Sequence, residues 1–191
     1  MRGKKAKEQL DKAGQDGVAV QTASQFQKGD WVVHKRLGVG RITSLEKKPV
    51  QGERVDCYCI EGDDSALWMP VSATDNGRIR PVASPSQMKS VKRILVREPK
   101  PMASNHKSRI NRIQEVLRSE GLRKKAALLR DLTGRRKKKS LNETEYRAVN
   151  TLTIRLTKEW AITFGITRAQ AQEQINSILE RSLSKLEQMK E

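Results

Sequence analysis

The feature that most constrains the fold is a glycine pair between two short runs of strand-forming residues. Trp31 to His34 has the composition of one strand and Arg41 to Glu46 that of a second. Between them, Gly38-Val39-Gly40 predicts a sharp reversal, because glycine alone reaches positive φ at low cost. The pattern therefore predicts a tight β-hairpin. Glycines in such a place are more typical of a bend than of a ligand cradle.

The β pattern continues from Phe26 to about Val82, with turn clusters at residues 49–52 and 61–65. Four or five strands in so short a stretch favour a small barrel, because an open sheet of this size leaves its edges bare. The apolar positions that define these strands are Val32, Ile42, Leu45, Val55, Tyr58, Ile60, Leu67, Trp68, Met69 and Val71. We therefore expect a β domain over residues 26–82.

A helical pattern follows, over residues 83–191. Ser84-Pro85-Ser86-Gln87 combines an N-cap, a proline at the first helical position and a residue that can bond back to the cap. Asn142-x-x-Glu145 and Thr167-x-x-Gln170 are similar starts, and Gly165 predicts a helix end. Four or five helices with short connections predict a compact bundle. Its last helix carries Ala171, Ile175, Ile178, Leu179 and Leu186, whereas Trp160 falls on the inner stripe of the helix before it.

The first 25 residues contain few large apolar side chains. Such a segment cannot bury enough surface to offset its ordering entropy. We expect residues 1–25 to form a disordered basic tail.

Charge is the strongest guide to function. The 191-residue chain has a net charge of +17 and a pI near 10.2, which favour a polyanionic partner, with nucleic acid ahead of an anionic membrane. The window from Lys92 to Lys139 contains seventeen basic residues and only four acidic ones. The densest part is Arg135-Arg136-Lys137-Lys138-Lys139, which we interpret as a basic loop that contacts phosphates. The alternative is a solvated loop.

Catalytic chemistry has little support in the sequence. His34 and His106 are the two histidines. Cys57 and Cys59 are two residues apart on a predicted strand, so both thiols point to one face, but two thiols would be only half of a zinc site. We expect no enzyme activity, no cofactor and no metal. No hydrophobic run approaches the length of a membrane span and no apolar segment follows the basic start, so a cytoplasmic location is expected.

Several of these stretches resemble one known family. Gly29-Asp30-x-Val32-Val33-His34-x-x-x-Gly38-Val39-Gly40, together with Gly52-Glu53, Tyr58, Met69-Pro70-Val71 and Gly77-x-x-Arg80-Pro81, resembles the RNA-polymerase-interacting domain. That domain is shared by the CarD/CdnL transcription regulators and the transcription-repair coupling factor. Leu129-Arg130-Asp131-Leu132 and Leu141-Asn142-x-x-Glu145 are similar to the CarD/CdnL C-terminal domain. The resemblance covers residues 28 to about 185.

The resemblance implies an α+β protein with a Tudor/SH3-like barrel before a helical bundle. It implies a monomeric, nucleoid-associated regulator that binds the RNA polymerase β subunit and promoter DNA and modulates open promoter complexes. The polymerase contacts carried over are Lys48, Trp68 and Pro70. The DNA-binding candidates are Arg130, Thr133, Arg135, Arg136, Lys137, Lys138 and Lys139.

One position departs from the family. The family commonly has an aromatic residue after Arg-Asp-Leu, as a minor-groove wedge, and here that position is Thr133. Two alternatives to this reading remain: a general RNA-binding or ribosome-associated module, and a repair accessory that uses the same barrel.

Overall fold

The computed structural model describes residues 25–188, apart from the side chains of residues 75, 76 and 186–188. The predicted tail lies outside the described residues except for Gln25, and so does the side chain of Leu186. The strands are β1 (Trp31–His34), β2 (Gly38–Val50), β3 (Glu53–Glu61), β4 (Ala66–Pro70) and β5 (Ile79–Pro81), with a 3₁₀ helix at Val71–Asn76. The helices are α1 (Pro85–Leu95), α2 (His106–Arg118), α3 (Leu122–Lys138), α4 (Glu143–Phe164) and α5 (Arg168–Gln188).

The five strands form one antiparallel sheet in the order β4-β3-β2-β1-β5. Among the described residues no ladder joins β4 to β5, so the α+β class agrees with the structure but the predicted barrel closure is not shown. The chain leaves β4 through the 3₁₀ helix, and Val71 from that helix packs with Phe26 in the sheet's hydrophobic core. The remaining core residues are Val32, Ile42, Tyr58, Ile60, Met69 and Ile79.

The loop of the first hairpin lies before the glycine pair, not at it as predicted. His34 pairs with Gly38, so residues 35–37 form the loop and both glycines lie in β2. The His34 ring stabilises this loop, because its Nδ1 accepts the backbone N–H groups of Arg36 (3.3 Å) and Leu37 (3.1 Å). Gly38 has φ +82°, whereas a Cβ on Gly40 would lie 2.8 Å from the Glu61 carbonyl oxygen. The first glycine is therefore needed for its backbone conformation and the second for close strand approach.

The helix starts follow the sequence signals. Ser84 and Gln87 form the capping box of α1, and Asn142 and Glu145 form that of α4. Thr167 Oγ1 accepts the Gln170 backbone N–H just before α5 begins. Gly165 ends α4 in the left-handed region, as predicted.

The helices bury a second hydrophobic core, separate from that of the sheet. Met88, Val91 and Leu95 of α1 are fully buried in it, and Trp160 is a core residue whose Nε1 donates to Gln174 Oε1 (3.0 Å). No helix within residues 25–188 is long and apolar enough to cross a membrane.

Helix α4 attaches the bundle to the sheet through a short run of polar residues. Glu159, 3% exposed, accepts two hydrogen bonds from the Arg80 guanidinium (2.6 and 2.9 Å) and one from the Ala83 backbone N–H (2.9 Å). One residue earlier, Lys158 Nζ donates to the Val39 carbonyl (2.7 Å) and pairs with Asp63 (2.8 Å). These contacts set the position of the sheet relative to the helices.

Candidate functional site

Two surfaces carry the residues that the sequence singles out, and the first is the outer face of the sheet around Trp68. β4 is an edge strand, on which Trp68 pairs with Cys59 and Pro70 pairs with Cys57. Alternate strand residues share a face, so Trp68 and Pro70 lie on the same side, opposite the core residue Met69. Trp68 is 42% exposed, so it does not fill the core of the sheet.

Lys48 reaches this patch from β2. Its Nζ lies 3.9 Å from the centre of the Trp68 ring and 2.9 Å from Glu46 Oε2. The hydrogen bond from Lys48, followed by that from Ser44, lowers the pKa of Glu46, so its carboxylate is charged at neutral pH. The structure therefore brings together the three predicted polymerase contacts, Lys48, Trp68 and Pro70, which we call the Trp68 patch. They lie beside an edge of β4 that pairs with no other strand within residues 25–188.

The cysteines of this sheet face are free thiols beneath the patch. Cys57 and Cys59 are 1% and 7% exposed and form no disulfide. Burial, and then the Asp56 carboxylate, raises the pKa of the Cys57 thiol. An uncharged buried thiol packs as a small hydrophobic side chain, which agrees with the interpretation of both residues as packing residues.

The second surface is the basic run, and its conformation differs from the prediction. Residues 135–138 form the last turn of α3 and Lys139 is its C-cap, so the expected loop is helical. Basic side chains are favourable at a helix C-terminus, because the carbonyl groups there carry partial negative charge. The run is thus a charged helix end rather than a flexible segment.

Its members are not equivalent. Arg136, Lys137, Lys138 and Lys139 are exposed. The Arg135 side chain is only 18% exposed, and its Nε lies 3.1 Å from Glu145 Oε1. Four of the five basic residues are therefore available to a polyanion, and the fifth is held by a buried carboxylate.

Arg130 and Thr133 lie inside the bundle. Arg130 is 4% exposed, and its guanidinium donates to Asp131 Oδ1 (2.6 and 2.9 Å) and to the Ile94 carbonyl (3.2 Å). Thr133 is 5% exposed, and its hydroxyl donates to the Leu129 carbonyl (2.8 Å). These placements correct the expectation that either side chain contacts DNA. A tryptophan at position 133 would enter the core and would not reach a base step from there.

Two buried carboxylates fix the loop that runs beside the end of α3. Asp131 accepts the Lys100 backbone N–H (2.9 Å) and pairs with Arg112 (2.6 Å). Glu145 pairs with Arg109 (2.7 Å), whose Nη1 also donates to the Ala103 carbonyl (3.0 Å). The loop of residues 99–104 is therefore held at both ends.

This loop and the end of α3 form a groove of about 220 Å³. Its basic lining residues are Lys100, Arg135, Lys138 and Lys139. Sequence reasoning missed Lys100, although it lies inside the basic window, because its neighbour Pro99 and then Pro101 indicate only an irregular connection. We call this feature the basic groove.

Gly134 lines the basic groove and lets the loop of residues 99–104 pack closely against α3. A Cβ at this position would lie 2.3 Å from the Pro99 Cβ, much closer than atoms can pack. We expect Gly134→Ala to destabilise the protein by about 1–3 kcal/mol in denaturant unfolding, since the loop must move away from α3. Pro99→Gly removes the opposing atom, so the double variant should be less destabilised than the sum of the two single variants. Additive effects would show that the contact does not constrain the loop.

Comparison with known proteins agrees with the two-part layout. Residues 26–83 match the CarD-like/TRCF RID domain, and residues 90–176 match the CarD C-terminal domain. The chain belongs to the CarD-like family. A relative from Bacillus subtilis (strain 168), named "Putative transcription factor YdeB", is 26% identical over 147 residues, which are 76% of this chain and 96% of that protein.

Both candidate surfaces fall within the CarD-like matches. The Trp68 patch lies in the first match, and the whole of α3 with the basic groove lies in the second. Each candidate surface therefore lies in one of the two matched regions.

Proposed function

We propose that this CarD-like protein is a non-enzymatic regulator of transcription. In this proposal the sheet binds the β subunit of RNA polymerase and the basic end of α3 binds promoter DNA, so that the protein modulates the stability of open promoter complexes. The observation that carries the proposal is the exposed Trp68 on a free strand edge, in the part of the chain that matches the RID domain. We further propose that it acts as a monomer at the nucleoid.

The Trp68 patch has the properties of a protein-binding surface. Exposed tryptophans next to a basic side chain are frequent energetic centres of interfaces. The contact between Lys48 and Trp68 restrains both side chains before binding, which lowers the entropy lost on association. The outer edge of β4, which pairs with no other described strand, can accept a strand from a partner. Pro70 and the shortness of β4 limit unwanted pairing.

The basic groove supports the DNA side of the proposal. Lys100, Lys138 and Lys139 are exposed and converge on one groove, and Arg135 is positioned at its wall by Glu145. Lysine ammonium groups bind phosphates as point charges and carry no sequence information. We therefore expect DNA binding that is strong in low salt and weakly dependent on sequence.

A pull-down from nuclease-treated lysate tests the proposal against its alternatives. Stoichiometric recovery of core RNA polymerase after nuclease treatment is the expected result. If every partner is lost with nuclease, the protein is a general RNA-binding or ribosome-associated module. If polymerase is absent unless DNA is damaged, the repair-accessory alternative is correct.

The salt dependence of DNA binding tests the basic groove directly. Each phosphate contact contributes about 0.9 to the slope of log K against log salt concentration for duplex DNA. The variant Lys100→Gln/Lys138→Gln/Lys139→Gln should therefore lower the slope by about two to three if all three residues engage. Arg136→Gln/Lys137→Gln, outside the groove, should lower it less. Fluorescence anisotropy over a range of salt concentrations measures both.

A matched control separates the groove from the overall charge. Arg118, the last residue of α2, and Arg123 and Lys124, in the first turn of α3, are exposed and lie outside the groove. Their replacement by glutamine removes the same charge. This control should retain nearly the wild-type slope. Equal losses in the two triple variants would mean that net charge, rather than the groove, attracts the DNA.

A further inference from the structure

A small cavity lies between the sheet and the helices, away from both surfaces described above. Its volume is about 40 Å³, and its walls come from β1, β5, α3 and α4. One water needs about 10–15 Å³ by this measure, so the cavity accommodates about three waters. A group of that size is comparable with a single tetrahedral oxyanion and much smaller than a nucleoside.

The charges around the cavity are unbalanced. Five cationic side chains, Lys35, Arg78, Arg80, Lys125 and Arg155, line it together with two carboxylates, Glu120 and Glu159. Both carboxylates are already engaged, because Glu120 pairs with Lys35 (3.2 Å) and Glu159 with Arg80 (2.6 Å). Among the side chains that the structure describes, Arg78, Lys125 and Arg155 have no carboxylate partner.

Of these three side chains, Lys125 has an ammonium group that is both partly buried and without a described partner. It is half-buried in α3, and its ammonium has no hydrogen-bond or ion-pair partner among the described residues. Burial, followed by the nearby Arg155 and Arg80 guanidinium groups, lowers the pKa of its ammonium, while Glu159 and Glu120 offset this only in part. The charged form of Lys125 therefore lacks the compensation that a buried cation normally has.

His34 adds a neutral hydrogen-bond donor to the cavity wall. His34 accepts two backbone N–H groups at Nδ1, so the proton of the neutral ring lies on Nε2. Burial, and then Arg36 and Arg78, lowers the pKa of His34 and keeps the ring neutral at pH 7. Arg155 uses one guanidinium nitrogen on the Arg36 carbonyl (3.2 Å) and retains its other donors. The cavity wall thus has five cationic side chains and the His34 donor against two carboxylates.

We propose that the cavity binds one inorganic oxyanion of the phosphate class. Lys125 and Arg155 supply the charge, and His34 supplies a neutral donor. Because β1 carries His34 while α3 and α4 carry Lys125 and Arg155, the anion bridges the two halves of the molecule. Its binding stabilises the relative position of the sheet and the bundle and does not depend on the proposed role in transcription.

Thermal unfolding of the full chain tests this proposal. Sodium phosphate, compared with sodium chloride at equal ionic strength, should raise the melting temperature of the wild type saturably by a few degrees, because an anion that binds only the folded state stabilises it. Lys125→Met should abolish this rise. Lys124→Met, an exposed neighbour on the same helix, should retain it. Equal responses of the two variants would overturn the proposal.

Three further measurements make the result decisive. In chloride alone, Lys125→Met should melt above the wild type, since it removes an uncompensated cation; a lower melting temperature would mean that Lys125 has a protein partner and that the site does not exist. Phosphorus NMR should show saturable broadening of inorganic phosphate by the wild type and none by Lys125→Met. A short duplex at equal phosphate concentration should produce no Lys125-dependent shift, and such a shift would assign the cavity to DNA instead.

Discussion

Replacing Trp68 and Pro70 with alanine should weaken binding to RNA polymerase by about thirtyfold or more while leaving the protein folded. An aromatic residue at the centre of an interface is typically worth about 2 kcal/mol or more, which corresponds to this change in the dissociation constant. Trp68 is 42% exposed and contributes little to the core, so its loss should not lower the melting temperature greatly. Biolayer interferometry with the isolated β lobe measures the affinity, and circular dichroism checks the fold.

Trp31 provides a matched control for this prediction. It is 39% exposed and also has a basic side chain over its ring, with the Arg41 guanidinium 5.8 Å from the ring centre. However, it lies on β1, away from the edge strand β4. Trp31→Ala should therefore keep the wild-type affinity. If Trp31→Ala weakens binding as much as the double variant does, or if the folded double variant binds normally, the β4 edge is not the interface.

Replacing Glu145 with alanine should destabilise the protein by about 3–5 kcal/mol, the usual cost of leaving buried charges without their partner. The Glu145 side chain is fully buried between Arg109 and Arg135 and also completes the capping box of α4. Glu143 is the control, because it pairs with Arg147 on the same helix but its side chain is 70% exposed. Glu143→Ala should cost no more than about 1 kcal/mol in urea unfolding.

The same network should make stability sensitive to acid. Burial alone would raise the pKa of Glu145, but hydrogen bonds from Arg109, the Asn142 backbone and Arg135 lower it below its ordinary value of 4.5. A carboxylate with a lowered pKa in the folded state stabilises the protein above its unfolded pKa, and this contribution is lost as pH falls through the folded value. The difference in unfolding free energy between wild type and Glu145→Gln should therefore be constant near neutral pH and shrink below about pH 4.5. A difference that is independent of pH would show that Glu145 is not ionised in the folded protein.

Local signals in the sequence predicted the starts of three helices well. Ser84, Asn142 and Thr167 each have a glutamine or glutamate three residues later, and in each case the side-chain bonds form. These interactions involve residues within one turn of each other, so the sequence alone contains the information. Trp160 was likewise predictable, because helical periodicity places it with other apolar residues.

Contacts between distant residues could not be predicted in the same way. Gly134 lowers helix propensity and, with the basic run after it, favours a loop. In the structure α3 continues through Gly134, and Pro99, thirty-five positions earlier, packs where a side chain would be. The internal placement of Arg130 and Thr133 has a similar origin, since it depends on Ile94 and on the packing of α1 against α3.

The sequence indicated which residues belong to the candidate polymerase surface but not which way their side chains face. The sequence could not decide whether Trp68 faced out, because a strand between two charged turns is compatible with either face. The pairing of β4 with β3 settles this, since it places Met69 in the core and Trp68 on the other side. The sequence did not indicate the 3₁₀ helix that follows β4, and closure of the predicted barrel is not shown among the described residues.

The attachment of the sheet to α4 has a consequence for synthesis on the ribosome. Arg80 meets Glu159 across 79 residues, and Val39 meets Lys158 across 119 residues. The sheet has all its own strands once residue 81 has been made, whereas its docking partners emerge when most of the chain is complete. During translation all the strands of the sheet are therefore made before their α4 partners, and the Arg80 guanidinium and the Val39 carbonyl remain hydrated until α4 leaves the exit tunnel.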